Sequence, residues 1–170
     1  YGSSIQFGSI TLNTTSTNGT MLVVKFNTNG NVVWAKNYGC SSGAACERIR
    51  FDKLGNMFFS GVFNADTMTL GNTTLLGSNH STDDVFIAKL NSNDSIEWAK
   101  SFGGDFDEES IGMSVNNQDD IYLSGWFHSP SIKFGNIQLT NASGSSNKAD
   151  IFIAKLDGTT GINELPTTAL

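Results

Sequence analysis

A spacing of 64 residues constrains this chain more than any other feature. The stretch Asp84–Gly104 reads DVFIAKLNSNDSIEWAKSFGG, and LVVKFNTNGNVVWAKNYG precedes it in the same order. Lys89 minus Lys25, Trp98 minus Trp34 and Gly103 minus Gly39 each give 64. The first half returns as DIFIAKLDGTTG, where Lys155 minus Lys89 gives 66. A fixed interval of this size is the mark of a repeat architecture, in which each unit buries its apolar face only against a neighbour. The 170 residues hold 170/64, or about 2.7 units.

Within a unit the apolar runs are short and alternate, and turn residues separate them. The complete unit predicts four antiparallel strands: A over 48–52, B over 57–63, C over 85–90 and D over 96–102. Strand B is apolar on both sides, with Met57, Phe59 and Phe63 one way and Phe58 and Val62 the other. It must therefore be covered on both faces. Gly61 in mid-strand recurs as Gly125, again 64 apart, and predicts a bulge or close backbone approach shared by both units. Asn29-Gly30 predicts a hairpin between C and D. The segment Phe7-Gly8-Ser9-Ile10-Thr11-Leu12, with copies at 70–75 and 134–139, reads as one short extended piece.

Four-stranded sheets repeated at a fixed interval, apolar on both faces, predict an all-β chain of β-propeller type. A string of small β-sandwiches needs more strands per unit than 64 residues supply. The segments are a partial blade over 1–39 (C and D), a complete blade over 40–103, a partial blade over 104–157 (A to C) and a C-terminal linker over 158–170. The expectation is an open arc of a larger propeller, whose partners include the remaining blades of the same parent chain.

Eighteen glycines against two prolines fit a turn-rich β chain. A net charge of −6 argues against nucleic-acid binding, which needs basic patches. No apolar run reaches a membrane span, so no membrane insertion is expected.

These motifs resemble the bacterial β-propeller repeat family known as SBBP. The resemblance is carried by Asp84–Leu90, Trp98–Gly104, Asp52–Asn56 and Ser60–Phe63, and covers nearly everything up to Leu156. Departures are Thr20 in place of Asp84 and Asp150, Cys40 in place of Gly104, and Gln118-Asp119-Asp120 in place of Leu54-Gly55-Asn56. The tail Gly161–Pro166 resembles the linker before the sorting domain of type IX secretion substrates in Bacteroidetes, which implies a secreted or cell-surface location. The family resemblance implies scaffolding, adhesion or ligand binding, with an extracellular glycan or protein as ligand, and no enzyme chemistry. The alternative is an accessory part of an extracellular carbohydrate-active enzyme whose catalytic residues lie outside this chain.

Individual residues are weighed against that frame. Asp105, Asp107, Glu108 and Glu109 form an acidic loop between D and the next A. The Asp105/Asp107/Glu109 spacing offers oxygens to calcium, while the turn glycine and distant bidentate Glu of an EF-type loop are missing. A solvated acidic loop is the plainer reading, and no cofactor is required. Trp34 and Trp98 repeat and so predict packing between units. Trp126 replaces Val62 and is the candidate for ligand stacking. Lys25, Lys89 and Lys155 repeat, predicting stems on apolar surface with heads in water or on a carboxylate. His80 and His128 have dissimilar surroundings and no paired ligand. Cys40 and Cys46 flank a small-residue loop. An exported location predicts a Cys40–Cys46 disulfide.

Overall fold

The computed structural model describes residues 4–13, 20–79, 81–144 and 146–161, and every regular element among them is a β-strand. Three hairpins punctuate the chain: β1 (Ser4–Phe7) with β2 (Ile10–Asn13), β7 (Thr67–Leu70) with β8 (Thr73–Leu76), and β13 (Ser131–Phe134) with β14 (Ile137–Thr140). Longer strands lie between them: β3 (Met21–Phe26), β4 (Val32–Cys40), β5 (Gly43–Phe51), β6 (Met57–Asn64), β9 (Asp84–Leu90), β10 (Ile96–Phe102), β11 (Glu108–Val115), β12 (Ile121–Phe127) and β15 (Asp150–Leu156).

The central sheet has the order β5-β6-β9-β10, all antiparallel, so the four expected strands A to D pair in sequence order. The last sheet is β11-β12-β15, the same arrangement without D. In the first, β3 and β4 pair as C and D, and the end of β4 adds β7 through Gly39–Thr69 and Cys40–Met68. The sheets are small, and none closes on itself.

The hairpins correct the sequence reading. Phe7–Leu12 and its copies are not single extended pieces but strand–turn–strand units, with Phe7 paired to Ile10, Leu70 to Thr73 and Phe134 to Ile137. Gly8, Gly71 and Gly135 have φ of 58, 60 and 58°, and the residue after each lacks positive φ. That is the type II′ pattern, whose twist suits a two-residue hairpin. Strand A is also longer than expected, beginning at Gly43 and Glu108.

The longer turns share one device. Asn27, Asp52, Asn91 and Asn116 each accept, through Oδ1, the backbone N–H groups two and four residues on, at 2.9–3.1 Å. The chain then passes the left-handed region at Gly30, Gly55, Asp94 and Asp119 (φ 80, 81, 61 and 63°). Asp119 thus fills the place of Gly55, because a short carboxylate side chain tolerates that conformation.

Two cores flank the central sheet. On one face Phe58, Val85, Ile87, Trp98 and Phe102 pack against Ile121, Leu123, Phe127 and Phe152 of the last sheet. On the other, Met57, Phe59, Phe63, Phe86 and Leu90 pack against Met21, Val23 and Tyr38 of the first. Phe58, Phe59, Phe63 and Phe86 are fully buried, which confirms that β6 is covered on both sides. Each contributes about 1.5–3 kcal/mol of transfer free energy. The Gly61 expectation also holds. A Cβ there would stand 1.8 Å from the Ala45 carbonyl oxygen, and one on Gly125 would stand 1.9 Å from that of Glu109. Bulges interrupt β5 between Cys46 and Arg48, and β11 between Ser110 and Gly112, opposite these glycines.

Candidate functional site

Trp126 lies on the outward face of the last sheet. Alternation along β12 turns Ile121, Leu123 and Phe127 into the core and leaves Tyr122, Ser124 and Trp126 on the far side. Along β15 it leaves Ile151 and Ile153, which are 61% and 52% exposed. Trp126 pairs across the strands with Ile151 and Glu109, and Tyr122 with Lys155. The Trp126 and His128 rings meet edge to face at 5.0 Å, and Trp126 is half-buried. The result is an apolar, partly aromatic face bordered by Glu109 and the Lys155–Asp120 ion pair at 2.8 Å.

This face has a counterpart within the chain. Tyr122, Ile151 and Ile153 occupy the repeat positions of Phe58, Val85 and Ile87, which the last sheet covers completely. Sequence reasoning singled out Trp126 alone and missed Tyr122, Ile151 and Ile153. The signal was available in the spacings of 64 and 66, which carry the buried positions of one unit onto the exposed positions of the next.

The acidic segment is divided between a loop and a strand. Asp105 and Asp107 are exposed loop residues, whereas Glu108 and Glu109 begin β11. Asp107 Oδ1 accepts the Asp83 N–H at 3.1 Å and its backbone oxygen accepts the His128 N–H at 3.0 Å. Among the described residues no three His, Cys, Asp or Glu side chains converge on a metal-binding geometry, so Asp105, Asp107 and Glu109 are not assembled as calcium ligands.

Glu108, by contrast, is fully buried. Its Oε2 accepts the Gly104 N–H at 2.8 Å and its Oε1 the Ser129 N–H at 3.3 Å. Burial pushes its carboxyl up to about 7 against those hydrogen bonds, and the nearby charge of Asp84 adds to the rise. Asp84 is buried as well. It accepts the Ser78 N–H and sits against Gly103, and burial raises it to about 6. Its Oδ1 has no hydrogen-bond partner among the described residues. Glu47 is raised by burial and by the Glu109 charge, and takes a hydrogen bond from Ser110 Oγ at 3.3 Å.

The repeated lysines behave as their periodicity predicts. Lys25 reaches Asp94 at 2.6 Å, Lys89 reaches Glu97 at 3.3 Å and Lys155 reaches Asp120. Trp98 is buried between sheets, with its indole N–H on the Gly158 carbonyl at 3.3 Å. Trp34 is half-buried under the Lys36 ammonium, 4.9 Å from the ring centroid.

The expected disulfide is not formed: Cys40 and Cys46 are free thiols. Cys40 ends β4, and its Sγ donates to the Gly43 carbonyl at 2.8 Å. Cys46 is committed to the β5–β6 ladder opposite Gly61, where burial pushes its thiol up to about 11. Only residues 41 and 42 separate the two strands, which belong to different sheets, and both cysteines pack as small apolar groups against the first core. His80 and the tail beyond Gly161, where the sorting-linker resemblance falls, lie outside the described residues.

No family model matches the chain, and no curated protein matches it. No helix among the described residues is long and apolar enough to cross a membrane.

Proposed function

We propose that the chain is a non-catalytic β-propeller-type repeat segment of a secreted or cell-surface bacterial protein. It serves as scaffold and ligand-binding module, with the outward face of the last sheet as its contact surface. One observation carries the reading. The same face of successive sheets packs on the opposite face of the next, first with Met21, Val23 and Tyr38 and then with Val85, Ile87 and Phe102. The third occurrence of that face, Tyr122, Trp126, Ile151 and Ile153, presents the same chemistry to solvent. The buried carboxylates support a structural role, since Asp84 and Glu108 spend their acceptors on backbone N–H groups of the connecting loops. An aromatic and aliphatic strip bordered by a few charges suits a glycan face or an apolar protein patch.

A glycan array probed with the whole chain tests this. Saturable binding that Trp126→Ala weakens at least tenfold supports the contact surface. Turnover of a bound glycan that Asp107→Ala or Glu109→Ala abolishes overturns the non-catalytic reading.

A further inference from the structure

The first sheet carries an unpaired strand edge beside an apolar cavity. In both other sheets strand C is bordered by strand B. β6 lies on β9 with Met57 opposite Leu90 and Phe63 opposite Asp84, and β12 lies on β15 with Ile121 opposite Leu156 and Phe127 opposite Asp150. β3 is strand C of the first sheet, yet among the described residues it pairs with β4 alone. Beside it opens a cavity of about 660 Å³, lined on the β3 side by Val24 and Phe26 and on the opposite side by Ile49, Phe51 and Met57. Phe26 and Phe51 are 55% and 64% exposed. The cavity is continuous with the core between the first two sheets, since Val23 and Leu90 belong to both.

We propose that this groove accepts an extended apolar segment from a binding partner, paired antiparallel with β3. Unpaired N–H and C=O groups supply a ladder, and alternate side chains enter the cavity. The internal copies fix the register. The first residue of the incoming strand stands opposite Phe26, the repeat counterpart of Leu90, and the seventh opposite Thr20, the counterpart of Asp84.

They also specify the anchor. Phe58, second in β6, has its ring 6.1 Å from that of Trp98 and 5.6 Å from the Lys89 ammonium. The counterparts of those two residues, Trp34 and Lys25, both line the open cavity. The second position of the occupant is therefore aromatic, sandwiched between an indole and an ammonium. Its pattern is that of β6 (MFFSGVF) and β12 (IYLSGWF). This inference rests on strand register rather than on the proposed contact surface of the last sheet, and stands independently of it.

The test titrates the full chain into a fluorescent peptide carrying residues 56–64 of this sequence with flanking lysines. The expected result is saturable one-to-one binding, with slowed amide exchange across Met21–Phe26. Phe58→Ser in the peptide weakens binding at least tenfold. N-methylation of one alternating set of peptide amides abolishes binding and that of the other set leaves it within twofold, because only one edge pairs. Absence of saturable binding overturns the proposal. So does equal tolerance of both N-methylated sets, which marks an apolar pocket without a ladder, or protection at β15 instead of β3. Concentration-dependent self-association that protects β3 without peptide also overturns it, by making a second copy the occupant.

Discussion

Gly61 and Gly125 stand where a single methyl group would strike the carbonyl oxygen of the neighbouring strand A. Nothing nearby can yield cheaply, because the obstacle is backbone in a four-stranded ladder. Gly61→Ala is expected to cost about 3 kcal/mol, read as a shift in urea midpoint at unchanged slope. Glu108 makes a different prediction. Its folded value of about 7 lies above the unfolded 4.5, so between those values the folded state holds the extra proton. Stability therefore rises on acidification through that window and falls as pH climbs through 7. Asp84, raised to about 6 from 3.8, acts in the same direction. Asp120 and Asp157, whose carboxyls are lowered by hydrogen bonds from Lys155 and Thr159, oppose it only below about pH 4. The urea midpoint should be higher at pH 5 than at pH 8, and Glu108→Gln should flatten the difference. The cysteines titrate as two free thiols in the unfolded, unreduced chain. In the native protein Cys46 reacts the more slowly, because its buried thiol stays protonated.

At the scale of elements, the turns show how one motif accommodates different residues. Gly55 and Asp119 occupy the same left-handed position with φ of 81 and 63°. Gly55→Ala should cost about 1 kcal/mol, whereas Gly55→Asp should cost about half that, since Asp119 holds the conformation already. Thermal unfolding of the two variants, side by side, measures the difference. The main strands were legible because their period of two and their recurrence at 64 residues reinforce each other. The hairpins β1–β2, β7–β8 and β13–β14 were not, because four-residue strands around a Gly turn show too little alternation to register as two. The disulfide failed for a related reason. Spacing alone could not reveal that β5 begins at Gly43, and so assigns Cys46 to a ladder with β6 rather than to a loop beside Cys40.

Over the whole molecule, a repeated sequence position takes its energetic role from its neighbour rather than from its own identity. Ile87 and Ile153 are the same residue, 66 apart, in the same place on strand C. Ile87 is fully buried beneath the last sheet, and Ile153 is 52% exposed because no described element covers it. Sequence reasoning recovered the two-sided burial of the central unit, since both faces of β6 are apolar. It singled out only Trp126 on the last sheet, because Ile151 and Ile153 read like the buried Val85 and Ile87. Ile87→Asp places an unpaired carboxylate in a closed core and should cost more than about 4 kcal/mol, enough to unfold a chain of ordinary stability. Ile153→Asp places the same group in solvent and should change stability by no more than about 1 kcal/mol. Paired urea titrations decide the matter. A large loss for Ile153→Asp would mean that the outward face is covered in solution, and a small loss for Ile87→Asp would mean that the second and last sheets do not pack as a shared core.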